Sequence, residues 1–301
     1  MSMEASAESG LVVAVEAPPS AVSRGYWANV GRRLRRDKTS MVCAVVLLAI
    51  FLAALFAPWL GLADPYQGSM IRRLRHIGTS GYPLGTDELG RDMIARLIYG
   101  GRLSLLIGIS PVALAFVFGA TLGLVAGYAG GKVNTAIMRT IDVFFAFPSV
   151  LLAIAISGVL GAGIVNSIVS LTIVFTPQIA RVAESVTTGV RNMDFINAAR
   201  ASGASAFTII RAHVLGNVLG PIFVYATGLI SVSMILAAGL SFLGLGVKPP
   251  EPEWGLMLNT LRTAIYTNPW VAALPGAMIF TVSICFNLLS DGLRSAMDIR
   301  N

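Results

Sequence analysis

Chemistry in this chain would have to rest on few side chains, and they are scattered. Only 12% of its 301 residues are Asp, Glu, Lys or Arg, and there are two histidines and two cysteines. His76 and His213 are distant in sequence and fall on opposite predicted sides of a membrane, so they do not share a metal. Cys43 and Cys285 sit inside apolar blocks without a partner at ligand spacing, the usual setting of a cysteine that acts as a small hydrophobe. No nucleophile stands beside a base. The nearest approach to a phosphate loop is Gly130-Gly131-Lys132, but Ala126 holds the place of its first glycine and Val133 that of the magnesium-binding Ser or Thr. That segment reads as a turn carrying a lysine.

Two acids, Asp142 and Glu184, lie closest to membrane depth, where ionisable residues are functional candidates by default. Each has a cation three residues earlier, Arg139 and Arg181, so a structural ion pair along one helix face is the favoured reading. Asn166, Gln178, Asn259 and Asn287 are fit either to line a pathway or to bond helix to helix.

The most informative polar stretch is Asp194-Phe195-Ile196-Asn197-Ala198-Ala199-Arg200-Ala201-Ser202-Gly203-Ala204-Ser205. Asp194 is suited to cap a helix start, and the alanines favour helix while leaving a smooth face. Gly203 supplies the left-handed backbone that stops a helix, and Ser205 caps a second one running toward His213. The expected shape is a short helix, a sharp turn and a new helix. Its small residues let another protein's backbone come close, although an ordinary connecting helix-turn-helix has the same composition.

The elements that hold these residues are apolar blocks. The chain is 55% hydrophobic, and a soluble domain usually carries about 25% charged residues. Blocks near or above about 18 apolar residues are what a bilayer demands. Six are expected, at 41–60, 103–126, 136–160, 164–185, 218–245 and 271–290. The first holds eleven Leu, Ile, Val or Phe, contributing about −3 to −7 kcal/mol to insertion. It is too long for the apolar core of a signal peptide and reads as a retained span. Pro148 should kink the third. Between the first two spans, Thr86 followed by Asp87 and Glu88 suggests a capped amphipathic helix, with Leu89, Met93 and Leu97 on one face.

The net charge is +7, and its basic residues cluster beside the apolar blocks, which points to membrane orientation and away from nucleic acid. Six spans put both ends on one side. That side carries 14 of the 22 Lys and Arg, including Arg32, Arg33, Arg35, Arg36 and Lys38 just before the first span, and is assigned to the cytoplasm.

The 194–205 loop resembles the Glu-Ala-Ala loop of ATP-binding-cassette (ABC) importer permeases. Ala198, Ala199, Gly203 and Leu215 match that pattern, whereas Asn197 replaces the glutamate, His213 the isoleucine and Gly216 the proline. The likeness extends over nearly the whole chain and narrows to the second-permease branch of the dipeptide, oligopeptide and nickel permeases. It is carried by Leu84-Gly85-Thr86-Asp87, Gly90-Arg91-Asp92, Tyr99-Gly100 with Arg102-Leu103-Ser104, and Phe147-Pro148-Ser149. It continues through Leu240-Ser241-Phe242-Leu243-Gly244-Leu245-Gly246, Pro249-Pro250, Pro252-Glu253-Trp254-Gly255, Asn287-Leu288 and Asp291-Gly292-Leu293-Arg294. Glu184 departs from it, standing where such permeases often carry a base.

The resemblance implies an all-α, six-span membrane protein of type I importer architecture. Its parts would be a cytoplasmic tail 1–40, a first span 41–60, an extracytoplasmic loop 61–100, a permease domain 101–290 with its coupling loop at 189–216, and a cytoplasmic tail 291–301. It implies residence in a bacterial inner membrane and transport of di- or oligopeptides, with a nickel chelate, glutathione or another small solute as alternatives. Implied partners are a homologous permease, two ATP-binding subunits that hold ATP and magnesium, an extracytoplasmic binding protein, and lipid. Asp194, Asn197, Ala198, Ala199, Arg200, Gly203, Ala204 and Ser205 would meet an ATPase. Pro250, Glu253, Trp254 and Gly255 would seal the outer mouth or receive the binding protein, unless Trp254 is only a headgroup anchor. Asp142, Asn166, Gln178 and Asn287 are the pathway or structural polar residues. Outside ABC transport, an ion-coupled carrier would be expected to show mid-membrane acids and inverted repeats, and a membrane enzyme clustered catalytic residues; none is evident.

Overall fold

The computed structural model describes residues 26–297. Residues 1–25 of the expected N-terminal tail, with Arg24, and residues 298–301 of the C-terminal tail, with Arg300, lie outside the described residues. Among the described residues regular structure is helical, apart from two isolated β-bridges.

The segment expected as a plain tail holds a helix, α1 (Tyr26–Arg36), with Arg33, Arg35 and Arg36 in its last turn. One residue, Asp37, separates it from α2 (Lys38–Leu55), the first span. The Asp37 carboxylate accepts the backbone N–H groups of Thr39 (3.2 Å) and Ser40 (3.3 Å), so the break between the helices is also the cap of the second.

The amphipathic helix expected near Thr86 is not there. The Thr86 hydroxyl is engaged elsewhere, accepting from the Arg75 N–H (2.9 Å) and donating to the Arg72 carbonyl. Asp87 accepts from the Leu89 and Arg91 N–H groups, both at 2.9 Å, and pairs with the guanidinium groups of Arg91 (2.6 Å) and Arg96 (3.1 Å). These bonds fold 74–92 into turns. The cap falls instead to Asp92, which takes the N–H groups of Ile94 (2.7 Å) and Ala95 (3.2 Å). Met93 and Leu97 therefore belong to α3 (Met93–Ala129), a single helix of 37 residues that starts ten residues before the expected second span. Arg102 on α3 donates to the carbonyls of Ala54 (2.6 Å) and Leu55 (2.7 Å), closing the end of α2 and tying it to α3.

Gly130 (φ +67°) and Gly131 (φ +51°) form the turn into α4 (Gly131–Phe145). α5 (Ser149–Leu160) follows after a bend of 88°. The expected kink at Pro148 is thus a break, because Pro148 precedes the first turn of α5 and cannot donate to the turn before it. The pair α4–α5 stands where the third span was expected.

α6 (Ile164–Arg191) extends well over one turn beyond the expected fourth span, which ended at 185. Then come the short helices α7 (Asp194–Ala201) and α8 (Ala206–Ile209), a π-turn at Ile210–Val214, and α9 (Leu215–Phe242). α10 (Trp254–Thr260) and α11 (Pro269–Met297) complete the chain. Among the described residues five helical stretches are long and apolar enough to cross a membrane, and the α4–α5 pair makes six if the bent pair is one span.

The core is built on α3, α6 and α9, with Leu171, Phe175, Ile179, Val218 and Ile222 at 0% exposure. α3 and α6 meet along Gly119, Gly123 and Gly127, spaced four apart on one face. A β-carbon on Gly119 would lie 2.8 Å from the Thr176 carbonyl oxygen, and one on Gly127 2.7 Å from Thr187 Cβ. On Gly123 it would collide with the Ala180 carbonyl and the Ala183 methyl. Only hydrogen fits there, so the two backbones touch.

Candidate functional site

The loop expected to meet a partner forms a built, two-helix element. Met193 occupies the cap position of α7 without a side-chain bond, and Asp194 is the first helical residue. The expected Asp194 cap is therefore corrected; its carboxylate instead sits in the first turn, where it complements the helix dipole. Ile196 is fully buried in the main core and orients the helix, while Asn197, Ala198, Arg200 and Ala201 face outward. Gly203 at φ +80° reverses the chain as expected. The Gly203 N–H donates to the Arg200 carbonyl (3.0 Å) and the Ala204 N–H to the Ala199 carbonyl (3.1 Å), a complete Schellman turn. Ser205 accepts the Thr208 N–H (3.2 Å) and caps α8.

Sequence reasoning missed the apolar shoulders of this element. Phe195 is 42% exposed and Phe207 72%, and with Met193 they flank the small face at 197–201. An aromatic on each side of an alanine-rich turn was the available signal. Exposed aromatics beside small residues make a surface with anchors and room for a second backbone. Phe195 also stacks at a tilt on His213, with ring centroids 6.4 Å apart. The Arg200 guanidinium lies over the Tyr128 ring at 5.8 Å, joining α7 to the end of α3.

No loop separates this element from the membrane helix that follows. α8 runs through the π-turn into α9, and Ile209, Val214, Val218 and Ile222 are buried in the same core as Ile196. A π-turn inside a long helix is a place where function concentrates. Ile196 thus places α7 in the same buried cluster as residues of α6 and α9.

α9 and α11 border an open cleft of about 800 Å³. Ser231, Ile235 and Phe242 line it from α9, and Phe280, Ser283 and Asn287 from α11. Ser283 Oγ is buried with no hydrogen-bond partner among the described residues. The walls are largely apolar, with a few polar groups among them.

The four polar candidates thus separate. Asn287 is on the cleft. Asn166 is structural, its Nδ2 donating to the carbonyls of Leu160 (2.7 Å) and Gly161 (3.0 Å). Gln178 reaches Ser149 Oγ at 3.5 Å, and Asn259 bonds the Phe242 carbonyl. Asp142 does not pair with Arg139: it accepts from Arg181 on α6, a bond between helices. Glu184 accepts from Asn134 (2.6 Å) and Thr188 (3.1 Å), not from Arg181. Both intrahelical pairings give way because α4 lies against α6.

The segment expected at the outer mouth, 250–255, is packed inward. Trp254 is 0% exposed, with Nε1–H donating to the Leu97 carbonyl (2.9 Å) and its ring against Gly100 and Gly101. It is therefore neither a headgroup anchor nor, in this conformation, a surface for a partner. Glu253 is 2% exposed and accepts from Ser104 Oγ (3.0 Å) and the N–H groups of Gly255 (2.9 Å) and Leu256 (2.8 Å), capping α10. Gly255 touches the backbone of Ala238. Only Pro250 of the four keeps an exposed surface. The neighbouring Tyr66 donates to Glu251 (2.8 Å), linking the segment after α2 to the one before α10; burial, with that carboxylate beside it, raises the Tyr66 hydroxyl above the ordinary tyrosine range.

Comparison with known proteins agrees with this architecture. Residues 119–299 match the family described as binding-protein-dependent transport system inner membrane component. Residues 25–75 match the N-terminal TM domain of oligopeptide transport permease C. The chain is similar to the dipeptide transport system permease protein DppC of Alkalihalophilus pseudofirmus, with 40% identity over 90% of this chain and 89% of that protein. The di/tripeptide transport system permease protein DppC of Pseudomonas aeruginosa is 39% identical over 93% of this chain and 94% of its own length. The glutathione transport system permease protein GsiD of Pectobacterium atrosepticum is 40% identical over 91% of both chains. Among solved structures, an inward-facing methionine ABC transporter, MetNI, superposes with a TM-score of 0.57, covering 68% of this chain and 97% of its counterpart. At 19% identity that likeness concerns the fold.

Proposed function

We propose, from the premise that this chain belongs to the family of binding-protein-dependent transport system inner membrane components, that it forms half of a peptide pathway driven by separate ATPases. It is a multi-pass inner-membrane permease subunit of an ABC importer that works with other ABC subunits. The further assignments are a homologous permease across the α9–α11 cleft, two ATP-binding subunits beneath α7, and a binding protein at the opposite face. Both termini lie in the cytoplasm, and ATP and magnesium are held by the partner subunits. The supporting observation is the continuous helix from α8 through the π-turn into α9, which borders the cleft, with α7 joined to α8 by the tight turn at Gly203.

In this reading closure of the ATPases moves α7 as a rigid lever. Ile196, Ile209 and Val214 transmit the displacement because a close-packed core shifts between discrete arrangements and does not deform continuously. α9 then tilts, and the cleft with Ser283 and Asn287 faces alternate sides. Replacement of the family glutamate by Asn197 removes a charge from the contact, so Phe195, Phe207 and the small face supply more of it. Di- and tripeptides are the favoured cargo. Glutathione, itself a tripeptide, is the second reading, supported by the 40% identity to a glutathione permease.

Gly203→Trp tests the lever. The site has open space around it but φ is +80°, so any side chain brings strain of about 1–2 kcal/mol, and tryptophan adds bulk on the docking face. The expected result is an inserted chain whose ATP-dependent dipeptide uptake falls at least about tenfold. Stimulation of hydrolysis by the loaded binding protein should fall in parallel, and Gly203→Ala should lose less. Normal uptake and normal stimulation in Gly203→Trp would contradict the assignment.

A further inference from the structure

We propose that α1 and the start of α2 form a binding site for anionic phospholipid headgroups of the cytoplasmic leaflet, held against the end of α11. Arg32, Arg33, Arg35, Arg36 and Lys38 are all exposed. On an α-helix the four arginines fall on one side, whereas Val30, on the other side, is buried at 6% exposure. α1 packs on α11 and leaves its basic side outward. At about 1.5 Å per residue, Arg32 stands within roughly 10 Å of the start of the span, about one Debye length from the membrane surface. Clusters of four to eight basic residues beside a span are the electrostatic complement of anionic lipid.

The elbow keeps this site in place. Asp37 bonds the N–H groups of Thr39 and Ser40 as well as the Ser40 hydroxyl. The Ser40 hydroxyl bond, then the two backbone N–H groups, hold the Asp37 carboxyl below the ordinary carboxylate range against the opposing effect of burial. Ser40 and Asp37 also close on Gly292 of α11, where a β-carbon would strike the Ser40 side chain. The basic helix is thereby fixed to α11, the helix that carries Ser283 and Asn287 to the cleft. Lipid held by α1 braces one wall of the cleft. Orientation in the membrane needs only the positive charge near the span; the packed helix and its elbow are additional construction.

The inference rests on the cytoplasmic assignment of the N-terminus, and the experiment separates the two. The full chain is reconstituted in phosphatidylcholine bilayers, and the motionally restricted fraction of spin-labelled phosphatidylglycerol is compared with that of spin-labelled phosphatidylcholine. The wild type is expected to prefer phosphatidylglycerol on the order of threefold at low salt, with the preference shrinking in high salt. The triple variant Arg32→Gln/Arg35→Gln/Arg36→Gln should show a ratio near one, and the corresponding triple lysine variant should retain the preference. The phosphatidylcholine fraction reports whether each variant is folded. An unchanged preference in the glutamine variant, or its loss in a folded lysine variant, overturns the site. Failure of the glutamine variant to assemble with its ATPases at unchanged lipid preference assigns the arginines to a protein partner and also overturns it. Labelling of Ala28→Cys from outside intact cells would refute the orientation and, with it, the cytoplasmic leaflet.

Discussion

Gly123→Leu is expected to abolish accumulation of the folded chain in the membrane. The β-carbon alone would strike the Ala180 carbonyl and the Ala183 methyl, and Glu184 N lies 2.7 Å from it. These are backbone and near-backbone atoms that cannot turn aside, so α3 and α6 must separate along the seam that builds the core. Overpacking a core usually costs about 1–3 kcal/mol where side chains can yield. Here they cannot, and the loss should exceed that range. Separation would also strip the Asn134–Glu184 bond and loosen α6 above the α7–α8 lever. Gly158→Leu is the control, because Gly158 is an exposed helical position with nothing within 4 Å of an added β-carbon. Thermal unfolding of the purified chain followed by gel filtration should show loss of the folded species for Gly123→Leu alone. Equal yields and equal melting for both variants would show that the α3–α6 contact is wrong.

Trp254→Ala should be far more damaging than Trp59→Ala or Trp270→Ala. Truncating a buried tryptophan or phenylalanine to alanine typically costs about 3–5 kcal/mol. Among the described residues Trp254 is the largest fully buried side chain; it fills the space left by Gly100 and Gly101, and its indole N–H is satisfied. Trp59 and Trp270, at 77% and 75% exposure, are the candidates for interfacial anchors, and their alanine variants should melt close to the wild type. Trp254→Phe should fall between, since it keeps most of the volume and loses the bond to Leu97. Thermal melting in detergent ranks the variants. A Trp254→Ala chain as stable as Trp270→Ala would place the ring outside the core.

Five of the spans were legible because each is an apolar block long enough for a bilayer, and the block, not its pattern, carries the information; the break at Pro148 in the expected third was legible only as a kink. Gly203 and Ser205 were legible for a different reason: a left-handed turn and a helix cap are local chemistry, readable within a few residues. The turns around Thr86 were not. A threonine followed by two acids is a sound local signal for a helix start, but Thr86 bonds back to Arg72 and Arg75, and Asp87 forward to Arg96. Those tertiary bonds outweigh the local preference. The same holds for Asp142, whose partner Arg181 is 39 residues away, and for Trp254, which resembles an anchor until Gly100 and Gly101 open a place for it. The repeated small positions at Gly119, Gly123 and Gly127 were visible as a spacing but were absorbed into an apolar block. Helix α1 was hidden because its arginines already had an explanation in membrane orientation.

Contact between α7 and an ATP-binding subunit is the claim on which the proposed mechanism stands, and cysteine cross-linking at Ala198 tests it most directly. Ala198 is exposed on α7, and the natural Cys43 and Cys285 are both buried, so the introduced thiol is the accessible one. In a transport-competent assembly, Ala198→Cys should cross-link to an ATP-binding subunit carrying cysteines along its membrane-facing groove, with a yield that changes when nucleotide is added. Gly158→Cys, at the far end of the bent helix pair, should give no such product. Absence of any cross-link from position 198 in an assembly that still imports peptide, under both nucleotide conditions, would contradict the account.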